Sequence, residues 1–367
     1  MCKYINEIIN KILSRYYSCY KHTLYMLRKI SFTLILCLCF FASKAQQEIY
    51  EAYAVLNLRS SARVAALGMD FLPWQANDIS VAITNPSLLS NKINNQFSFG
   101  YTDLFAGIWQ GNIAYAHTFD KIGNFSFGLN YVGYGDFTRT EANGDVAGSF
   151  TSNDYMFTIG WGRMLDSNVY IGANFKPIFS QYESYSSIAI AFDLAATYMS
   201  TDRSFTATFM ARNFGTQLKS YNGTEEKLPF ELELGFSKKL KHAPFRLFVM
   251  ATNLQKWDLR ENDPLNPRDE TDPFTGKVTK ENTFLGILDN SFRHLNFGVN
   301  FEPSKNFYLA FGYSWKQSRE MYLEDAFSMA GFSYGFGFNI KKFKISYARN
   351  EYHIYGSPNH ISLLVSI

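Results

Sequence analysis

The hydrophobic pattern of the chain changes near residue 96. From Gln96 to the last residue, large apolar side chains alternate with small or polar ones in one segment after another. In a representative segment every second residue is large and apolar: Phe307, Leu309, Phe311, Tyr313 and Trp315. Successive side chains of a strand point to opposite faces, so each such segment is predicted to be a β-strand with one apolar face and one small or polar face.

The spacing of these strands separates two all-β architectures. About fourteen strands are predicted, at residues 97–105, 107–119, 124–137, 153–165, 168–181, 186–200, 203–213, 230–240, 244–255, 293–303, 305–317, 327–340, 342–352 and 359–367. Every second connection is tight, whereas the others are mostly longer, including 138–152, 214–229 and 256–292. A soluble sandwich shows the same alternation with its apolar face inward. Short turns at one end and long loops at the other are instead typical of an outer-membrane barrel. We therefore predict a transmembrane antiparallel β-barrel over residues 97–367, located in the cell outer membrane with its long loops outside.

Composition agrees with this prediction and excludes other classes. Aromatic residues make up 17% of the 367 residues, with 35 Phe, 24 Tyr and 5 Trp, while charged residues make up only 18%. The mean hydropathy is −0.16, and no run of about 18 apolar residues occurs, which excludes a polytopic helical membrane protein. The formal charge of +3 is too small to indicate a nucleic-acid-binding protein.

The N-terminal region predicts export. Residues 26–45 read MLRKISFTLILCLCFFASKA, with the basic residues Arg28 and Lys29, an apolar stretch, and small residues up to Ala45. This layout is that of a signal peptide cleaved after Ala45, and residues 1–25 are interpreted as a mis-assigned upstream extension. All four cysteines precede residue 40, so the exported chain is predicted to be neither a disulfide-stapled scaffold nor a thiol enzyme.

Residues 46–96 lack the strand pattern and are predicted to form a plug. A lumen of about fourteen strands is too wide to be filled by the side chains of its own wall. The stretch Ser61–Gly68 is rich in small residues, and Asn85-Pro86 predicts a turn. Arg63 is expected to form an ion pair with a carboxylate of the lumen. The alternative is a periplasmic tail packed beneath the barrel.

Motifs for catalysis or cofactor binding are not found. The six histidines are scattered without a metal-binding spacing, and neither a GxSxG elbow nor a P-loop occurs. We predict no catalytic residues, no cofactor and no metal. Loop 256–292 is the most charged and proline-rich part of the chain, and it is the candidate docking loop for a protein partner. The apolar residues available there for docking are Trp257, Leu265 and Phe274.

Several long blocks of the sequence resemble the PorV/PorQ family, a Bacteroidetes branch of the FadL-like outer-membrane transporters. They read NLRSSARVAALGMDFLPWQANDISVAITNPSLLS (57–90), VGYGDFTRTEANGDVAGSFTSNDY (132–155), KPIFSQYESYSS (176–187), ARNFGTQLKSY (211–221) and KKLKHAPFRL (238–247). The resemblance implies a FadL-like barrel whose plug motif includes Ser61, Arg63, Leu67, Gly68, Asn85 and Pro86. Met69 departs from the family pattern, which often has a second glycine there.

The resemblance also implies a function. It implies an outer-membrane component of the type IX secretion system that anchors a PorZ-like surface protein. That attachment complex includes a PorU-like sortase and a PorV-like shuttle, and it joins secreted cargo to anionic lipopolysaccharide. The alternative is a FadL-like channel for the uptake of hydrophobic small molecules. The two functions are predicted to differ in whether the plug stays closed.

Overall fold

The computed structural model describes residues 53–260, 270–271, 278–279, 283–321, 328–353 and 356–367. The predicted upstream extension, the predicted signal peptide and residues 46–52 of the predicted plug segment lie outside the described residues.

Fourteen antiparallel strands form one closed barrel, in which β1 pairs with β16. This confirms the predicted all-β barrel. The wall strands are β1 (Gln96–Phe105), β2 (Ile108–Phe119), β3 (Gly123–Thr140), β4 (Val146–Asp166), β5 (Val169–Tyr182), β6 (Tyr185–Met199), β7 (Phe205–Lys219), β8 (Glu231–Lys239), β9 (Phe245–Ala251), β12 (Leu295–Ser304), β13 (Phe307–Ser314), β14 (Phe332–Ile340), β15 (Phe343–Asn350) and β16 (Asn359–Ser366). A separate two-stranded sheet consists of β10 (Glu270–Thr271) and β11 (Val278–Thr279).

The connections define two ends of the barrel. The turn end carries the short connections such as 120–122 and 341–342, together with the start of β1 and the end of β16. The loop end carries the long connections, including 220–230 and the region between β9 and β12. The prediction of a long loop at residues 138–152 was wrong. Strands β3 and β4 continue through this segment as a pair and are joined at residues 141–145. Beyond Gly133 and Ser152 this pair has no hydrogen-bonded register with β2 or β5, so residues 134–151 form a projecting β3–β4 ribbon.

Two helices at the loop end also differ from the sequence prediction. Helix α3 (Thr283–Arg293) replaces the last part of the predicted loop 256–292 and the first residue of the predicted strand 293–303. Helix α4 (Trp315–Glu320) replaces the last residues of the predicted strand 305–317. The change from strand to helix occurs at Ser314, whose side chain accepts a hydrogen bond from the Gln317 backbone N–H at 3.5 Å. A serine in this N-cap position satisfies one of the backbone donors at the start of a helix. Helices α1 (Ala62–Ala65) and α2 (Ile79–Ala82) lie earlier in the chain and belong to the plug.

The outside of the barrel is apolar. Large side chains with about half of their surface exposed occupy the outward positions of neighbouring strands, including Ile113, Phe127, Phe157, Phe209, Phe311, Phe336, Ile345 and Ile361. Exposing such a side chain to water rather than burying it costs about 1.5–3 kcal/mol. A complete belt of them on a closed barrel is stable only when hydrocarbon surrounds it, so the wall spans a bilayer.

Among the described residues, no helix has both the length and the apolar character required to cross a membrane.

A charge on this outer surface is expected to impair insertion. Phe311 is 56% exposed on the outward face of β13, near the middle of the strand. Phe311→Arg should destabilise the inserted barrel by up to about 2–4 kcal/mol, the cost of an arginine on the lipid face at the bilayer midplane. The measurement is the folded fraction after refolding into lipid vesicles, followed by the heat-dependent shift in gel mobility. The same substitution at exposed Thr224 in a loop is the control. Solubility of the wild-type protein without detergent, with no mobility shift, would contradict the barrel itself.

Residues 53–95 lie inside the lumen. They contain the one-turn helices α1 (Ala62–Ala65) and α2 (Ile79–Ala82) and three 3-10 turns at Ala54–Leu56, Pro86–Leu88 and Asn91–Ile93. These elements contact strands on several sides of the wall. The main hydrophobic core lies between plug and wall, where plug side chains such as Leu67, Met69 and Phe71 meet small wall residues such as Ala310. The segment therefore fills the barrel instead of lying beneath it as a tail.

Candidate functional site: the plugged lumen and the loop-end surface

The first part of the plug is fixed to the late strands. The backbone N–H of Ala62 donates to the Ser362 hydroxyl on β16 at 3.0 Å, and Asn350 on β15 donates to the Ala65 carbonyl at 2.8 Å. Ser61 is fully buried, and its hydroxyl lies 2.9 Å from that of Ser80. Helix α1 is only four residues long and could not remain helical alone, so these contacts determine its position.

Arg63 is the charged centre of the plug at the turn end. Its guanidinium lies 2.8 Å from the Glu302 carboxylate at the end of β12. It also lies 4.7 Å from the ring centre of Trp74 and 4.4 Å from that of Tyr308. Arg246 contacts the Trp74 ring as well, at 4.9 Å. A cation enclosed by aromatic faces and a carboxylate is well compensated for its loss of water.

Leu67 and Gly68 form one of the close approaches of the plug to the wall. Leu67 is 1% exposed, and its backbone lies directly over Gly312 on β13. Gly68 has φ +63°, a conformation that favours glycine. Its carbonyl accepts a hydrogen bond from Arg59 at 3.3 Å.

The Asn85-Pro86 turn packs on the opposite side of the lumen. Asn85 is fully buried, donates to the Leu72 carbonyl at 3.1 Å and accepts from the Ser87 hydroxyl at 2.6 Å. The backbone of Pro86 lies over Gly162 on β4 and Gly172 on β5, where a Cβ atom would come within 2.2–2.3 Å of it. The plug therefore requires the absence of side chains at these wall positions.

A group of buried charges joins the plug to strands β5 to β8. The Arg212 guanidinium lies 3.3 Å from Glu233 and 3.6 Å from Glu231, and it also donates to the plug carbonyl of Leu56 at 3.3 Å. Lys176 and Asp193 form an adjacent pair at 2.6 Å. We call Arg59, Asp70, Lys176, Asp193, Arg212, Glu231 and Glu233 the lumen charge cluster; Arg59 and Asp70 are a plug pair at 3.4 Å.

The lumen charge cluster was not predicted from the sequence. Its signal was present, because Lys176, Asp193, Arg212 and Glu233 are charged residues on the inward faces of four consecutive predicted strands. Asp70, Glu231 and Glu233 have carboxylate oxygens within 4.8 Å of one another, a spacing that a cation can bridge. Arg212 lies beside two of these carboxylates and compensates their charge.

Two cavities lie on opposite sides of the plug. The loop-end cavity has a volume of about 460 Å³, and charged residues among its lining are Arg59, Asp70, Arg212, Glu231, Lys316 and Glu320. The turn-end cavity, of about 450 Å³, is lined by Arg63, Trp74, Lys239, Glu302 and Lys344 among others. Within the described part of the chain, the two cavities share no lining residue. Residues of the plug line both cavities, Arg59 and Asp70 the first and Arg63 and Trp74 the second.

The candidate docking loop is only partly described. Trp257 is 66% exposed, and its indole stacks on His294 with ring centres 5.7 Å apart. Its carbonyl accepts hydrogen bonds from Asn290 at 2.6 Å and from the ring of His294 at 3.0 Å. Leu265 and Phe274 lie outside the described residues. The structure thus fixes Trp257 beside α3 and does not relate it to the other two predicted docking residues.

Solved structures with a similar fold are outer-membrane channels. The TodX deltaS2S3 mutant monoaromatic hydrocarbon channel is 12% identical, with 83% of this chain and 97% of that chain covered and a TM-score of 0.50. The chain has the fold of the FadL-like barrels. The toluene transporter TodX of Pseudomonas putida is 13% identical, with 87% and 98% covered and a TM-score of 0.46. A FadL homologue of Pseudomonas aeruginosa is 12% identical, with 84% and 98% covered and a TM-score of 0.46.

No protein-family model matches the sequence, and no curated protein is significantly similar to it.

Proposed function

We propose that this chain is a permanently plugged barrel of the outer membrane that anchors a surface protein. In this role the lumen transports nothing, and the loop end, facing outward, binds the partner. Following the PorV/PorQ resemblance, the proposed role is that of a PorQ-like component of the type IX secretion system. The proposed partner is a PorZ-like protein, through which the barrel joins the PorU-like sortase and the PorV-like shuttle. No enzymatic activity is proposed.

The observation that carries this proposal is the attachment of the plug to the wall. Hydrogen bonds and ion pairs connect it to β16, β15, β12 and β7, and a hydrophobic core fills the boundary between them. One of these contacts, Arg63–Glu302, is an ion pair whose arginine is buried, and breaking a buried ion pair costs about 3–5 kcal/mol. A plug held in this way supports a closed anchor better than a gate that must open in each transport cycle.

The positions of the PorV/PorQ-like blocks support a surface role. Block 132–155 forms the β3–β4 ribbon, block 176–187 forms the β5–β6 connection, and block 211–221 forms the loop-end half of β7. These three blocks lie on neighbouring parts of one rim, because β3 to β7 are consecutive in the barrel. The other two blocks lie elsewhere, because 57–90 belongs to the plug and 238–247 forms the β8–β9 connection at the turn end. Three blocks that share one sector of the loop end are expected if that sector faces a specific partner.

A second candidate function is uptake of hydrophobic small molecules, and the loop-end cavity is the observation in its favour. Its volume of about 460 Å³ is within the range of small-molecule sites. Its lining is mixed, because the charged residues lie beside apolar ones such as Phe105, Ile108 and Val132. A hydrocarbon that also covered the charged groups would remove their hydration without replacing their hydrogen bonds. The deletion phenotype separates the two functions. Loss of surface-attached proteins with normal fatty-acid uptake supports the anchor, whereas the reverse supports the channel.

Exchange of residues 262–280 for a short Gly/Ser linker tests the predicted docking loop. The barrel and plug contacts described above do not involve this segment, so the heat-dependent mobility shift should be retained. The surface partner should no longer co-purify with the detergent-solubilised barrel. A Gly/Ser exchange of the turn-end residues 241–244, on the opposite side of the membrane, is the control and should leave co-purification unchanged. Undiminished co-purification after the loop exchange would remove this loop as the docking site.

A further inference from the structure

Helix α3 (Thr283–Arg293) has an apolar side that is largely exposed. Phe284, Leu285, Ile287 and Leu288 are all exposed, with Ile287 at 51% and Leu288 at 43%. At about 100° per residue these four positions and Phe292 lie within one arc of the helix. A helix on the surface of a soluble domain normally places such an arc against the core.

The opposite side of α3 is polar and is attached to the barrel rim. The Asp289 carboxylate accepts a hydrogen bond from the Trp315 indole at 3.0 Å and pairs with Arg293 at 2.8 Å. Asn290 accepts from the backbone N–H of Leu259 at 2.9 Å and donates to the Trp257 carbonyl at 2.6 Å. Partial burial of Asp289 disfavours its charged form, but the hydrogen bonds from Trp315 and Arg293 outweigh this and hold the pKa of its carboxyl below its ordinary value.

These contacts determine which side of the helix faces outward. The hydrogen bonds of Asp289 and Asn290 would be lost if α3 rotated to bury its apolar arc. The outward direction of that arc is therefore a consequence of how the helix is bound to the rim.

An unbroken row of aromatic rings connects the apolar arc with the lipid-facing wall. Phe332, which is 48% exposed on β14, lies 4.8 Å from Tyr313 on β13 between ring centres. Tyr313 lies 6.4 Å from Trp315, and Trp315 lies 5.3 Å from Phe292 of α3. Phe311, two residues before Tyr313, belongs to the same outward face. The apolar surface of α3 thus continues the surface that hydrocarbon already covers.

We propose that α3 is an interfacial helix whose apolar arc is covered by the membrane leaflet at the loop end of the barrel. Helices of this type lie in the membrane plane, with the apolar side towards the acyl chains and the polar side towards water or protein. Trp257, exposed next to the polar side of α3, fits the same level, because indole rings concentrate at membrane–water interfaces. The inference is independent of the proposed anchor function, since the bilayer is present with or without a surface partner.

Spin labels at single cysteines test this placement. In the full chain, Cys2, Cys19, Cys37 and Cys39 are replaced by serine, and a cysteine is introduced by Leu288→Cys or Ile287→Cys. The labelled protein is reconstituted into vesicles of dioleoylphosphatidylcholine. Relaxation enhancement is then measured with oxygen, which concentrates in lipid, and with a water-soluble nickel chelate. Phe311→Cys is the lipid-facing reference, and Asn222→Cys, in an exposed loop, is the water-facing reference.

The expected result is that labels at residues 287 and 288 match the Phe311→Cys label, with strong oxygen and weak nickel enhancement. Two results would overturn the proposal. Enhancement like that of the Asn222→Cys label would place the helix in water. Protection from both reagents would show that protein, rather than lipid, covers the arc. Each variant is first required to show the heat-dependent mobility shift of a folded barrel, and the two positions provide independent readings.

Discussion

Replacement of Arg212 by methionine should turn the closed barrel into a conducting one. Arg212 is the cation beside Glu231 and Glu233, and Glu233 is fully buried. The Arg212 guanidinium also donates a hydrogen bond to the Leu56 carbonyl of the plug. Methionine preserves much of the side-chain length but leaves the carboxylates uncompensated, at an expected cost of about 3–5 kcal/mol. The plug is a separate segment that the strand hydrogen bonds do not hold, so we expect it to detach before the wall unfolds.

The measurement is ion conductance of the purified variant in planar lipid bilayers, with the heat-dependent mobility shift as the test of an intact wall. Adding Glu233→Gln to Arg212→Met should restore part of the closure, because it removes one uncompensated charge. Arg139→Met is the matched control. Arg139, on the exposed β3–β4 ribbon, pairs with Glu183 of the β5–β6 connection, and 55% of the arginine side chain is exposed. Surface pairs contribute only about 0–1 kcal/mol. If the Arg212→Met variant shows no ion conductance and has the thermal stability of the wild type, the lumen charge cluster does not hold the plug.

Gly312→Ala should displace the plug at a second contact, on β13, on a different side of the lumen from Arg212. A Cβ atom there would lie 2.2 Å from both the carbonyl carbon and the oxygen of Leu67. Backbone atoms cannot move aside as a flexible side chain does, and the next residue, Gly68, is already constrained by its positive φ. We expect Gly312→Ala to destabilise the plugged state by about 1–3 kcal/mol, the usual cost of overpacking.

The neighbouring position on β12 provides a graded control. Gly298 is opposite Gly312 in the strand register, but a Cβ atom there would meet only the ends of the Leu67 and Met69 side chains, at 3.0 and 3.1 Å. Gly298→Ala should therefore cost no more than about 1 kcal/mol. In planar bilayers Gly312→Ala should therefore conduct more than Gly298→Ala. Its heat-dependent mobility shift should also occur at a lower temperature. Equal behaviour of the two variants would contradict the close approach of Leu67 to β13.

The architecture of the wall could be predicted from sequence because its cause is local. Strand geometry alternates side chains between two faces, so the sequence has to repeat with period 2 wherever one face meets lipid and the other meets the plug. The segment 138–152 was misread as a loop because the projecting β3–β4 ribbon leaves the bilayer. There neither face requires large apolar residues, and the pattern disappears although the strands continue.

The contacts of the plug could not be predicted because they depend on pairing across the whole barrel. Arg63 was expected to meet a carboxylate, but its partner, Glu302, is 239 positions later in the chain. Only the order and register of the strands bring the two together. Helix α3 was missed for a different reason. Its apolar residues have helical spacing, but they occur in a region whose charge and proline content indicated an irregular loop.

The pairing of β1 with β16 has a consequence for how the protein is assembled. The plug precedes the first strand, and its Ala62 backbone bonds to Ser362 on the last one. The cylinder cannot seal until the C-terminal strand arrives, and by then the preceding segment has to be in place, because a sealed wall of this width offers no route for threading it in. The pairing of β1 with β16 therefore has to close the barrel around a plug that is already folded against the sheet.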